Sequence, residues 1–221
     1  MRLTVVAATG GIGRQLVDQA LAAGHEVTAL VRNPRDLPGP VRVVRADLSR
    51  PEAAAVEAGV RGADAVLSGL GPSGPREAGI ASTGTRALVE AMWTSGVKRI
   101  VVVSAAPVGT VPVPGEPPAP KHDPGDTFLM RHLLSPMVKR LFPKVYADLA
   151  GMEALLRDTA LDWTVVRPPR LTNGPLTAAY RTAVGRNVRR GNLVSRADVA
   201  HLMLASLDRP ETIHQVLGIA N

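Results

Sequence analysis

The apolar positions of this chain follow two alternating periods. Residues 2–8 form a short β-branched run that ends in a glycine cluster, and within residues 13–23 Leu16, Val17, Ala20 and Leu21 fall on one helical face. Strand, tight turn and helix are the expectation. Gly24 closes that helix, and residues 25–31 make a second β-rich run stopped by Asn33 and Pro34. The same alternation then predicts strands at 41–44, 63–67, 99–104 and 163–167, and helices at 51–60, 79–95 and 146–159. Strands alternating with helices imply right-handed βαβ units, hence an α/β Rossmann fold: a doubly wound parallel sheet in a three-layer α/β/α sandwich. With 221 residues the chain suits a single domain spanning 1–221.

One stretch breaks the rhythm. Residues 107–126 carry seven prolines, and proline extends neither a buried strand nor a helix, so a loop is expected there. Residues 128–142 follow as an amphipathic helical pattern interrupted near Pro136. This insertion, 107–143, comes just after the strand ending at Ser104, on the side where doubly wound sheets keep their ligand crevice. It is expected to act as a lid or as a partner surface, with 128–142 the candidate for oligomer contacts.

Composition narrows the possibilities. The absence of cysteine excludes disulfides, thiolate metal sites and a cysteine nucleophile, and fits a reducing, cytoplasmic setting. The apolar start runs straight into the glycine turn, without the marks of a signal peptide, and no apolar stretch approaches a membrane span, so no membrane partner is expected. The net charge of +7 comes mostly from arginines spread along the chain. No basic run is interleaved with aromatics for base stacking, which argues against a nucleic-acid partner and leaves an anionic small molecule. The five histidines are scattered, and no metal-ligand spacing appears.

The chemistry concentrates at the first turn. Thr9, Gly10, Gly11, Ile12 and Gly13 lie between a strand and a helix, the context a phosphate-binding glycine turn requires. Gly10 lets backbone approach a pyrophosphate, Gly13 lets the helix pack on the strand, and first-turn N–H groups face the anion. Ala7 stands where the usual pattern has its first glycine. At the end of the second strand an acidic residue would bind a ribose 2′-hydroxyl and select NAD(H). Arg32 stands there instead, with Arg35 as support, and a guanidinium suits the 2′-phosphate of NADP(H). Asp47 and Leu48 are placed to hold the adenine, and Gly69, Leu70 and Gly71 leave room for close cofactor approach.

These residues carry a family likeness. The segments 8–13, 30–33, 103–105 and 161–169, with Pro175-Leu176-Thr177 and Tyr180 and the run 195–200, resemble the atypical short-chain dehydrogenases that form a single NAD(P)-binding domain. Within them the likeness is greatest to the branch of NADPH flavin reductases, which includes biliverdin IX-beta reduction. The resemblance covers nearly the whole chain outside the proline-rich insertion. It implies a cofactor on the carboxyl edge of the sheet and hydride transfer to an aromatic or conjugated acceptor, with little acid–base apparatus. It also implies that Thr9, Gly10, Ile12 and Gly13 hold phosphate, Arg32 the 2′-phosphate, and Asp47 and Leu48 the adenine, while Ser104 and Pro168 border the nicotinamide. At the places of two substrate-side histidines this chain has Leu149 and Arg170, so substrate identity does not transfer.

Ser104 and Arg170 are therefore the candidates for orienting or stabilising the acceptor. Tyr146 is followed four residues on by Ala150 rather than by the lysine that would lower its pKa, and is read as structural. Two functions follow. One is an NADPH-dependent reductase of a flavin-, quinone- or other conjugated carbonyl-type acceptor, and the other is a non-catalytic dinucleotide sensor that binds a partner.

Overall fold

The computed structural model describes residues 1–34, 37, 39–128 and 130–221. Its strands run β1 (Arg2–Val6), β2 (Glu26–Val31), β3 (Arg42–Arg45), β4 (Ala65–Ser68), β5 (Arg99–Val103), β6 (Asp162–Arg167), β7 (Arg170–Thr172), β8 (Arg181–Val184), β9 (Leu193–Ser195) and β10 (Gln215–Ala220). Eight of them form one sheet in the order β3-β2-β1-β4-β5-β6-β10-β8, while β7 and β9 pair separately. Every contact in the large sheet is parallel except that of β10 with β8 at one edge. The order reverses at β1, which lies between β2 and β4. A crevice opens at such a reversal, beyond the carboxyl ends of the strands.

The sheet is buried on both faces. Leu3 and Val5 of β1 point to one side, where α1 (Gly11–Ala22) and α6 (Arg196–Ala205) pack on each other through Leu16, Val17, Leu202 and Met203. Val6 points to the other side, which is covered by α2 (Ala53–Val60), α3 (Ile80–Ser95) and α5 (Pro143–Arg157) through Val56, Leu88, Met92, Met152 and Leu156. Strands sandwiched this way read as continuous apolar runs, which is why β1, β2, β5 and β6 stood out in the sequence.

The predicted order of elements through β6 is present, and the differences have local causes. Strand β10 was not expected. Its Gly218 interrupts the apolar run because a Cβ there would stand 2.3 Å from the Arg186 carbonyl oxygen. The 128–142 pattern becomes a π-helical turn, Met130–Leu134, that runs directly into α4 (Ser135–Leu141). The regular pattern does change next to Pro136, where the π-helical turn gives way to α4. Pro143 opens α5, where its missing N–H has no helical partner to lose. The segment exposes Phe128 at 81% and Leu141 at 61%. Among the described residues no helix is long and apolar enough to cross a membrane.

Candidate functional site

Beyond Val6 the chain turns into α1 through Ala7, Ala8, Thr9 and Gly10. Ala7 donates its N–H to the Leu30 carbonyl at 3.1 Å, and its own carbonyl accepts the Gly10 N–H at 2.8 Å. Ala7 has φ +56°, so the position that usually carries glycine keeps the left-handed backbone despite its Cβ. That conformation costs an alanine roughly 1–2 kcal/mol. Gly10 caps α1 in extended conformation with no side-chain cap bond, and the N–H groups of Gly11, Ile12 and Gly13 have no intrahelical acceptor. A Cβ on Gly13 would stand 2.1 Å from the Ala7 carbonyl oxygen, whereas one on Gly10 would stand 3.1 Å from it. Gly13 is thus required by packing, Gly10 leaves its backbone bare, and a Cβ on Gly11 would stand 2.6 Å from Cδ and Nε of the Arg196 side chain.

That bare surface is the floor of an open cleft of about 670 Å³, lined by Thr9, Gly10, Gly11 and Ile12 and, toward β2 and β3, by Arg32, Asn33, Asp47 and Leu48. Asp47 does not cap α2, whose N-cap is Glu52. It accepts instead from the hydroxyl of Ser49 at 2.7 Å and from its N–H at 3.0 Å. Those bonds, helped by Arg32 and Arg50, hold its carboxyl below the usual aspartate value. Arg32 donates to Glu77 at 3.4 Å, a long contact from a side chain that is 55% exposed. Glu77 is itself held below the usual glutamate value, first by the Ser73 backbone N–H and less by Arg32. Gly69, Leu70 and Gly71 form the wall after β4. A Cβ on Gly69 would meet the Gly13 nitrogen at 3.2 Å, so this glycine lets the β4 turn close on α1.

The opposite end of the cleft is built by β5 and α5. Ser104, Ala105, Val145, Tyr146 and Leu149 line it, with Leu171 and Arg196 facing them. Helix α5 is fixed by Asp148, whose buried carboxylate accepts the N–H groups of Ala81 and Ser82 at 3.0 and 2.9 Å at the start of α3. With Asp148 so anchored, Tyr146 and Leu149 are held on the cleft side. Burial pushes the Tyr146 phenol above its ordinary value, and position 150 holds an alanine rather than a lysine.

Most of the sequence-derived candidates come together in this one cleft. Thr9, Gly10, Gly11, Ile12, Arg32, Asp47, Leu48, Gly69, Leu70, Gly71 and Ser104 all line it, and Gly13 lies directly beneath. Pro168 is buried at the end of β6, its carbonyl accepting the Ala106 N–H at 2.9 Å, and it is not among the lining residues. Arg170 is exposed at the start of β7, and the lining residue there is its neighbour Leu171. Arg35 lies outside the described residues. Sequence reasoning set Tyr146 aside as structural, yet it lines the cleft, and it passed over Arg196, whose side chain folds across Gly11. It also passed over Glu153 and Arg167, which stand behind Ser104. Among the described residues of the 107–143 insertion none lines the cleft. Its proline-rich part instead covers Glu153 and Arg167 around a second cavity, pinned by a two-pronged ion pair of Arg157 with Glu116.

The cleft fits a dinucleotide. Its volume lies in the usual range of roughly 300–1,000 Å³ for small-molecule sites, its floor is glycine backbone with the Arg196 side chain against Gly11, and the first N–H groups of α1 have no intrahelical acceptor. The match to the NAD(P)H-binding family covers residues 7–210, and the chain belongs to that family. It is 34% identical over 170 residues to the 3-diazoavenalumate denitrifying reductase of a Streptomyces species, covering 69% of this chain and 54% of that one. It is 39% identical over 109 residues to the photosystem II assembly factor Ycf39 of Guillardia theta, covering 47% of this chain and 35% of that one. The chain thus spans about a third to a half of the length of these curated relatives. Among solved structures, a Burkholderia pseudomallei protein is 29% identical with a TM-score of 0.74, and each chain is covered in full. ChuY, an anaerobilin reductase from Escherichia coli O157:H7, superposes with a TM-score of 0.76 at 21% identity over 100% of this chain and 97% of its own, which shows a shared fold.

Proposed function

We propose that this chain is an NADP(H)-dependent reductase acting on a flavin-, quinone- or other conjugated carbonyl-type acceptor. The observation that carries the proposal is the pairing of Arg32 at the β2 end of the cleft with a lysine-free Ser104 and Tyr146 at the other. NADPH, when bound, supplies a hydride. Gly10, Gly11 and Ile12 would hold the pyrophosphate through backbone N–H groups with Arg196 beside them, and Arg32 would take the 2′-phosphate. Asp47 and Leu48 would hold the adenine, and Ser104, Tyr146 and Leu149, with the exposed Arg170, would orient the acceptor. An unassisted tyrosine whose phenol is pushed up by burial is a weak acid for a carbonyl. Conjugated rings take a hydride at one atom and a proton at another, so solvent can complete the reduction and orientation is the larger demand.

The reductase named among the relatives supports this proposal. The same missing lysine favours a second reading, a dinucleotide sensor that binds a partner through the exposed apolar side chains of 128–142. Steady-state NADPH oxidation against a panel of flavins and quinones separates the two. Turnover of any member is expected, and cofactor binding with no turnover across the panel would transfer the case to the sensor. Sedimentation of the protein with and without Leu141→Asp tests whether 128–142 joins copies of the chain.

A further inference from the structure

Behind Ser104 lies a buried ion pair, Glu153 with Arg167, that the proposed reaction leaves unused. Ser104 is 7% exposed, Glu153 1% and Arg167 9%. The Ser104 hydroxyl stands 2.6 Å from Glu153 Oε1. Arg167 Nε donates to the same oxygen at 2.9 Å, Arg167 Nη2 donates to Oε2, and Arg157 Nη1 lies 3.7 Å from Oε2. A carboxylate paired with a guanidinium in this two-pronged way has only acceptor sites to offer. The hydrogen on the Ser104 oxygen must then lie on the line to Glu153. What Ser104 shows the cleft is its lone pairs.

We infer that Glu153, held by Arg167, is a positioning residue that fixes Ser104 as a hydrogen-bond acceptor, so that the reacting end of the cleft selects a group presenting an N–H or O–H donor. The inference rests on the proposed function in placing the nicotinamide half beside Ser104. A serine hydroxyl elsewhere rotates to suit its ligand, as donor or acceptor. This one does not rotate without leaving a buried carboxylate short of a partner, which is costly. Ser104 therefore gives no proton to a developing oxyanion. Two donors can meet it: the carboxamide N–H₂ of the nicotinamide, or an N–H or O–H of the hydride acceptor. Burying an ion pair is a poor way to gain stability over an apolar core. The arrangement is better explained by the orientation it imposes on Ser104 than by the joining of α5 to β6.

The test separates the two donors and needs activity in only one arm. In the first arm, the 3-acetylpyridine analogue of NADP⁺, which keeps the carbonyl but replaces N–H₂ by methyl, is titrated against NADP⁺ itself. If the carboxamide is the donor, the unaltered protein binds the analogue about five- to tenfold more weakly, and Ser104→Ala abolishes the difference. Glu153→Gln shrinks it, since the new amide can donate to Ser104 and turn the hydroxyl hydrogen into the cleft. Should Glu153→Gln fail to fold, Glu153→Asp draws the carboxylate back by one methylene and gives the same readout. In the second arm, an acceptor from the flavin and quinone panel is followed. If that molecule is the donor, Ser104→Ala raises its KM about five- to tenfold while NADPH affinity and kcat stay within twofold. An analogue bound as tightly as NADP⁺ together with an unmoved KM in Ser104→Ala overturns the inference. If no acceptor is turned over, the first arm decides alone. A protein that binds neither NADP⁺ nor its analogue overturns the proposed function instead.

Discussion

At the end of the cleft floored by residues 7–13 the chain presents mainly backbone, flanked by side chains from the ends of β2 and β3, whereas the opposite end is built from side chains of β5 and α5. The floor is one turn, residues 7–13, and the wall beside it adds short runs of residues at the ends of β2, β3 and β4. The reacting end assembles Ser104 from β5 with Tyr146 and Leu149 from α5, and supports them with Glu153 and Arg167. The floor of the first end depends on N–H groups and missing Cβ atoms, which few substitutions preserve. The second end can be rebuilt by single substitutions, so it is where members of one cofactor-binding family come to differ in chemistry.

The comparison breaks most visibly at the floor. Gly10→Val should remove NADP(H) binding by a hundredfold or more, about 2.7 kcal/mol, because its Cβ already starts 3.1 Å from the Ala7 carbonyl oxygen and its methyls would fill the pyrophosphate space. The domain should stay folded, since that space opens to the cleft. Cofactor titration beside a thermal melt checks both halves, and undiminished binding by a folded variant would show that the phosphates lie elsewhere.

At the adenosine wall Arg32→Ala should remove most of the preference for NADP(H) over NAD(H), a loss of roughly 1.5–3 kcal/mol for a charged phosphate contact. The Arg32–Glu77 contact seen here is long and exposed, so releasing Arg32 to a phosphate costs little. Equal affinities of the unaltered protein for both cofactors would sink the assignment of Arg32.

On the acceptor side the expected effect is smaller. Arg170 is exposed at the start of β7, next in the chain to the lining residue Leu171. Arg170→Leu should leave NADP(H) affinity within a few fold and lower turnover of the acceptor by about tenfold, roughly 1.4 kcal/mol in the barrier. Turnover and affinity must be measured together. If neither moves, Arg170 is a solvated surface side chain, and if both fall it supports β7 and β9 rather than the acceptor.

The contrast between the two ends also explains what could be read from the sequence. The β-branched runs of β1, β2, β5 and β6 and the glycine turn are local signals, and they placed the fold and eleven residues of the cleft lining. The place of Tyr146 in the cleft lining was not legible from the missing lysine four residues on, because it follows from its position on α5 beside Asp148. Glu153 and Arg167 left a signal that periodicity alone ignores. Each is a charge at a position the apolar pattern assigns to the core, Glu153 between Met152 and Leu156, and Arg167 directly after Val165 and Val166. A buried charge requires a partner, and pairing the two would have found the network. Arg196 left no such trace, because only the fold brings the start of α6 over Gly11.

The smallest expected effect tests how rigidly the floor is determined. Ala7 holds φ +56° while bonded on both sides, to Leu30 and to Gly10, so the turn imposes a conformation its side chain disfavours. Ala7→Gly removes the steric penalty of roughly 1–2 kcal/mol but adds freedom to the unfolded chain, which returns part of it. A net stabilisation of about 0.5–1 kcal/mol is expected, read as a shift of the denaturation midpoint at constant slope. Cofactor affinity should stay within twofold, since the N–H groups of Gly11 and Ile12 keep their places. A destabilised Ala7→Gly protein would mean that the Ala7 methyl contributes packing worth more than the strain it carries, and that the floor owes its shape to side chains as the other end does. A stabilised one with unchanged affinity would confine the side-chain contribution to the reacting end.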